Sequence, residues 1–256
     1  MNEARSDYDL LVLSPHLDDA VLSIGGSLHQ WAREGQRVLV ATQFAGDAPP
    51  KVSPFALELH RLWGFGSSSE VMSARRREDL EALSFLGVEA RHGELQDAVY
   101  RRSADGGWSH PDLAALRRSE TDDPMSRPVL DQLEALPPAR RVLAPLGAGA
   151  HIDHQLVHRA AQRLFADRLC FYEDFPYAER LKARLLAVAG RRFAKQRNRL
   201  SREAVAAKIE ACSFYASQLI GGLAGDGLAQ AQRSFVEARG GEVFWRPRGR
   251  GEESRR

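Results

Sequence analysis

Two short stretches of this sequence concentrate side chains that can bind a cation and move protons. The first is Ser14-Pro15-His16-Leu17-Asp18-Asp19, the second Gly149-Ala150-His151-Ile152-Asp153-His154. An imidazole and a carboxylate three residues apart, His16 and Asp19, can converge on one divalent ion and leave the intervening Asp18 to face an open coordination position. His151 and His154 are also three apart, about one helical turn, so they share one side of a helix entry. One of the two can ligate while the other faces a substrate. Asp153, between them, can fix an imidazole tautomer through a hydrogen bond. Two His, one Asp and an open position suit catalytic zinc, and the same donors also serve ferrous iron.

The elements around these stretches bear on whether they can meet. Tyr8–Leu13 is a short apolar run that ends directly at the first cluster, and Arg141–Leu146 is another that ends just before the second. Such runs are expected of strands buried on both faces of a parallel sheet. Arg37–Phe44 and Arg168–Tyr172 repeat the strand signal, while 20–34, Ala74–Leu86 and Ile152–Phe165 have helical spacing. Strands alternating with helices predict an α/β fold, Rossmann-like and doubly wound, with a mainly parallel sheet flanked by helices. Ligands in such folds bind beyond the carboxyl ends of the strands, which is where both clusters fall. The expected organisation is a single domain over 1–245 with long irregular rim loops at 46–73 and 93–127, and a basic tail, 246–256, without structure. Within the first loop, Phe55, Trp63 and Phe65 suit either a lid over the site or a segment pinned to the core. Ala178–Glu210 reads as a basic helical region, and Gly221–Gly227 as a turn cluster with no phosphate-loop Lys-Ser/Thr.

Composition removes other classes. With 36 Lys+Arg against 34 Asp+Glu, the formal charge of +2 gives no polybasic surface, so nucleic acid is not an expected partner. No apolar run approaches the ~20 residues of a membrane span, and the polar start MNEARSDYD has no signal-peptide core, so a cytoplasmic location is expected. Cys170 and Cys212 are too few for a disulfide framework and read as packing residues.

The pairing of S-P-H-L-D-D-A with a downstream H-I-D-H resembles the PIG-L or LmbE-like family of zinc-dependent N-acetylglucosaminyl deacetylases. The Arg75-Arg76-Arg77-Glu78-Asp79 stretch with Leu86-Gly87-Val88, the segment Leu95-Gln96-Asp97, and Tyr172-Glu173-Asp174-Phe175-Pro176-Tyr177 extend the resemblance over about residues 9–220. The phrase around His16 and the E-D-F-P-Y segment look most like the branch acting on glycopeptide antibiotics and related secondary metabolites. Many members carry Glu after the paired aspartates where this chain has Ala20; that position is not a ligand in the family pattern. The resemblance implies His16, Asp19 and His154 as metal ligands and Asp18 as general base; His151, if protonated, can stabilise the developing oxyanion with Asp153 holding its ring, and either Asp18 or His151 can protonate the leaving amine. It also places Arg76 and Asp97 near the sugar, with Arg75 or Arg77 as alternatives to Arg76. The implied substrate is a small-molecule N-acetylated amino sugar or its glycoconjugate, and the implied cofactor is Zn2+, or Fe2+.

Two other classes are compatible with the residues alone. A ferrous-iron oxygenase can use the same three ligands, and a non-catalytic sugar- or nucleic-acid-binding protein can keep the fold. Acetate release without oxygen separates the first from a hydrolase, and the effect of Asp18→Asn on function separates the second.

Overall fold

The computed structural model describes residues 7–118, 123–180, 188, 193–219 and 225–248. Apolar runs form the inner strands β1 (Tyr8–Ser14), β2 (Val38–Thr42), β4 (Ala139–Pro145) and β5 (Leu169–Tyr172), and the polar, half-exposed β3 (Glu89–His92) lies at one edge. They are continued by β6 (Phe193–Asn198) and β7 (Glu242–Pro247), and the seven strands lie in the order β3-β2-β1-β4-β5-β7-β6. The first five pair in parallel, β1 lying between β2 and β4 with Leu10 opposite Val38 and Arg141. β7 runs antiparallel to both β5 and β6. Connections from β1 lead outward to β2 and β3, whereas β4 begins the other wing. The order therefore reverses between β1 and β4, the switch point at which sheets of this kind form a ligand crevice beyond the carboxyl ends of the strands.

Helices cover both faces: α1 (Asp19–Arg33), α2 (Pro54–Leu62), α3 (Ser68–Phe85), α4 (Ser126–Glu134), α5 (Ile152–Phe165), α6 (Arg202–Ser213) and α7 (Asp226–Glu237). One apolar cluster packs Leu11, Leu13, Phe44, Val99, Ile152 and Phe171 on one side of the sheet, and a second packs Leu10, Val12, Ile24, Leu83, Phe175 and Tyr215 on the other. The expected mainly parallel, helix-flanked sheet is the observed one.

Three local expectations are corrected. The stretch 46–73 is not irregular throughout, because Pro54 opens α2 behind Ser53, whose hydroxyl accepts from the Ala56 N–H, and α3 already starts at Ser68. Phe55, Trp63 and Phe65 pack against the core cluster, which favours the pinned arrangement. Within the basic region 178–210, Phe193–Asn198 is a strand pairing with β7 rather than helix, and an α-helix runs from Arg202. Residues 181–187 and 189–192 of that region lie outside the described residues. The tail is also shorter than expected, since Arg246 and Pro247 complete β7; 249–256 lie outside the described residues, as do 221–224 of the glycine cluster.

Helix α1 breaks in its middle, where Ile24 leaves helical geometry at φ −133° and ψ 23°. The break frees backbone groups inside the protein, and each needs a partner. Glu242 accepts from the Gly26 and Ser27 N–H groups at 3.2 and 2.7 Å, and Lys208 donates to the Ser23 carbonyl at 2.9 Å and to Glu242 at 2.8 Å. Both side chains are fully buried, so each charge depends on the other. Lys208→Met strands the carboxylate and is expected to lower unfolding stability by about 3–5 kcal/mol, read from urea denaturation; an unchanged midpoint would refute this account of the break.

Candidate active site

The crevice between β1 and β4 receives both clusters. After β1 the chain turns tightly: the Ser14 hydroxyl donates to the His16 carbonyl and accepts from the Ala20 N–H, and Asp19 Oδ2 accepts from the His16 N–H at 2.9 Å. The turn places Asp18 at φ 145°, a region that L-residues rarely occupy, and such strain persists only where surrounding contacts enforce it. After β4, the loop from Leu146 reaches His151, which caps α5 by accepting the Asp153 N–H on Nδ1 at 3.2 Å.

His16 Nδ1 and His154 Nε2 each lie 3.2 Å from Asp19 Oδ2, and one atom from each of the three residues falls within 4.8 Å of the others. The second nitrogen of each imidazole is fixed by a carboxylate. His16 Nε2 lies 3.0 Å from Asp153 Oδ2 and 3.6 Å from Asp97 Oδ2, and His154 Nδ1 lies 2.7 Å from Asp174 Oδ1. Asp174 is itself anchored, its Oδ2 accepting from the Gly147 and Ala148 N–H groups. Carboxylate, imidazole and a converging third donor form the arrangement in which a histidine turns its free nitrogen to a metal.

The charges support the same reading. Burial drives the His154 pKa down, but Asp19 and Asp174 outweigh it and leave it raised to about 10. His16 is likewise raised, with Asp97, Asp153 and Asp19 overcoming burial. The same buried carboxylates that favour positive charge on both imidazoles would also favour a divalent cation between them. Asp18 differs: burial, then Asp19, push its carboxyl up to about 7, against the pull of Arg75. Burial, then His16, press His151 down to about 3 despite Asp153.

Residues 11–165 match PIG-L, described as GlcNAc-PI de-N-acetylase. The chain belongs to the PIG-L family. Among solved PIG-L-like structures, teicoplanin deacetylase Orf2 in its zinc-inhibited form superposes with a TM-score of 0.80 at 30% identity, over 96% of this chain and 99% of that one. The A40926 pseudoaglycone deacetylase Dbv21 gives 0.70 at 30% identity, over 94% of this chain and 99% of its own. The curated 2'-N-acetylparomamine deacetylase of Niallia circulans is 27% identical over 193 residues, covering 69% of this chain and 70% of its length.

The structure brings His16, Asp18, Asp19, Asp97, His151, Asp153 and His154 together at one crevice. The expected pairing of Asp153 with His151 is different in detail. The Asp153 carboxylate goes to His16, to Arg101 and to the Ala98 N–H, and only its backbone N–H reaches the His151 ring. Arg76 turns outward to Asp47 Oδ1 at 2.6 Å and the Ala45 carbonyl. The arginine at the site is Arg75, 4% exposed, with Nη2 3.9 Å from Asp18 Oδ2 and its guanidinium 4.8 Å from the Trp63 ring centre. His158 bonds the Pro145 carbonyl and stacks on Phe171, away from the cluster as expected. Arg101 and the pairing role of Asp174 were not anticipated. Asp174 stands in the quoted E-D-F-P-Y segment, but nothing in its spacing links it to His154.

Gly149 gives the second loop its close fit, because a Cβ there would overlap the Tyr177 ring, which meets His154 edge-on at 5.6 Å. Gly149→Ala is expected to cost about 1–3 kcal/mol in thermal unfolding through overpacking. Tyr177→Ser in the same chain should recover much of that loss; strictly additive losses would show that the ring is not the obstacle.

Proposed function

We propose that this PIG-L protein is a metal-dependent hydrolase that removes the N-acetyl group from an N-acetylglucosamine-type amino sugar carried by a glycopeptide or related secondary metabolite. His16, Asp19 and His154 would hold one divalent ion through Nδ1, a carboxylate oxygen and Nε2, with Zn2+ as the metal best suited to the donor set. The observation that carries this reading is the convergence of those three atoms beside a carboxylate, Asp18, that is not committed to an imidazole. The relatives named for teicoplanin, A40926 pseudoaglycone and 2'-N-acetylparomamine support the substrate class.

The bound ion would supply Lewis acidity, polarising the acetamide carbonyl and acidifying water. Asp18 takes the proton from the attacking water. A carboxyl poised near 7 can accept that proton and return it at neutral pH. As the water oxygen bonds to the acetyl carbon, negative charge gathers on the carbonyl oxygen. His151 Nδ1 already accepts a backbone N–H, so its ring proton sits on Nε2, and a neutral N–H donor faces the developing charge. The carbon–nitrogen bond then breaks, Asp18 passes its proton to the leaving nitrogen, and acetate and a free amine result. Arg75, whose buried Nε has no hydrogen-bond partner, takes the sugar-contacting role first given to Arg76, and Asp97 lines the same crevice.

Asp18→Asn is expected to lower kcat by about 10²–10⁴ while metal content stays at the wild-type level, followed as acetate release from an N-acetylglucosaminyl glycopeptide and from simpler glycosides. Chelation should abolish turnover, and one equivalent of Zn2+ should restore it. Full activity in stripped protein would end the metal reading.

A further inference from the structure

Arg101 is a long cation, 9% exposed, on the turn that follows Asp97. No part of the reaction above uses it. Its Nη2 donates to Asp153 Oδ1, Nε and Nη2 both reach the Gln96 carbonyl at 3.1 Å, and the guanidinium carbon lies 4.6 Å from the Phe44 ring centre. The remaining nitrogen, Nη1, is buried without a hydrogen-bond partner. Leaving one arm of a buried guanidinium unsatisfied is costly, so the arm that does bond must hold something whose position matters.

That something is the plane of the Asp153 carboxylate. Asp153 is fully buried on the first turn of α5, and its Oδ2 accepts from the Ala98 N–H and from His16 Nε2, both at 3.0 Å. With Oδ1 clamped by Arg101 and Oδ2 braced by Ala98, the carboxylate cannot rotate, and Oδ2 stays aimed at the imidazole. The turn 97–101 thus supplies the Asp97 carboxylate beside His16, and the Ala98 N–H and the Arg101 guanidinium that hold Asp153.

We infer that Arg101 is a positioning residue for the metal, acting through Asp153 to hold the His16 ring so that Nδ1 faces the ion. The inference rests on the metal reading proposed above. Outer partners of metal-ligating histidines act in this way by fixing tautomer and ring orientation, and their loss costs about 10–100-fold in metal affinity.

The test is Zn2+ affinity by chelator competition for wild type, Arg101→Gln and Arg101→Lys, with the melting temperature of each metal-free protein and the visible spectrum of each Co2+-substituted one. Arg101→Gln should bind Zn2+ about 10–100-fold more weakly, with an altered Co2+ spectrum. Arg101→Lys, which keeps the charge but not the fork, should recover part of the affinity. Wild-type affinity and an unchanged spectrum in Arg101→Gln, with only a lower melting temperature, would make Arg101 a structural strut and overturn the inference. If Arg101→Gln does not fold, Arg101→Lys decides: unaltered affinity and spectrum overturn the inference, and weakened binding supports it. Wild-type protein that binds no Zn2+ would instead overturn the metal reading, and this inference with it.

Discussion

Anion–imidazole pairing at the mouth of the β1–β4 crevice is the constraint around which the structure is arranged. Asp19, Asp153 and Asp174 are all buried, and an unpaired buried carboxylate is too costly to keep. Each therefore has to be delivered against a histidine by a different part of the chain: Asp19 from the start of α1, Asp153 from the first turn of α5, Asp174 from the loop after β5. The sheet order brings these points together, because β1, β4 and β5 are neighbours and release their loops on one edge. Fixing the loops costs strain at Asp18, and the network around His16 and His154 is what holds it in place.

Much of this was legible in the sequence because it is local. Strand runs that end in polar turns identify both the sheet and the edge where ligands gather, and the spacing of His16, Asp19, His151 and His154 is visible without any structure. What escaped is long-range. Asp174 meets His154 across 20 residues, and Arg101 meets Asp153 across 52, with no periodic pattern to announce either. The outward turn of Arg76 is a different case. Met72, Arg75, Asp79 and Ala82 are all buried on α3 at three- and four-residue intervals, so the helical phase selects Arg75 among three consecutive arginines. Ser53-Pro54 inside the loop expected over 46–73 is an N-cap followed by the first helical position, a local start signal for α2.

The family match stops at residue 165, yet the site does not. Asp174, which orients His154, and Tyr177, which packs on it and on Gly149, both lie beyond that limit. The matched part of the chain and the strands that follow it are thus joined by contacts at His154 and Gly149, as well as by the sheet. Tyr172 adds another link, its hydroxyl donating to the Leu13 carbonyl at the end of β1.

The broken first helix has a consequence for how the molecule is made. The groups that mend it come 185 and 216 positions later in the chain, from Lys208 and Glu242. A chain leaving the ribosome exposes His16 and His154 to the cell before either of those residues has been translated. The bonds that complete the break in α1 therefore cannot form until Lys208 and Glu242 have been made, although α1 is the first helix to be synthesised.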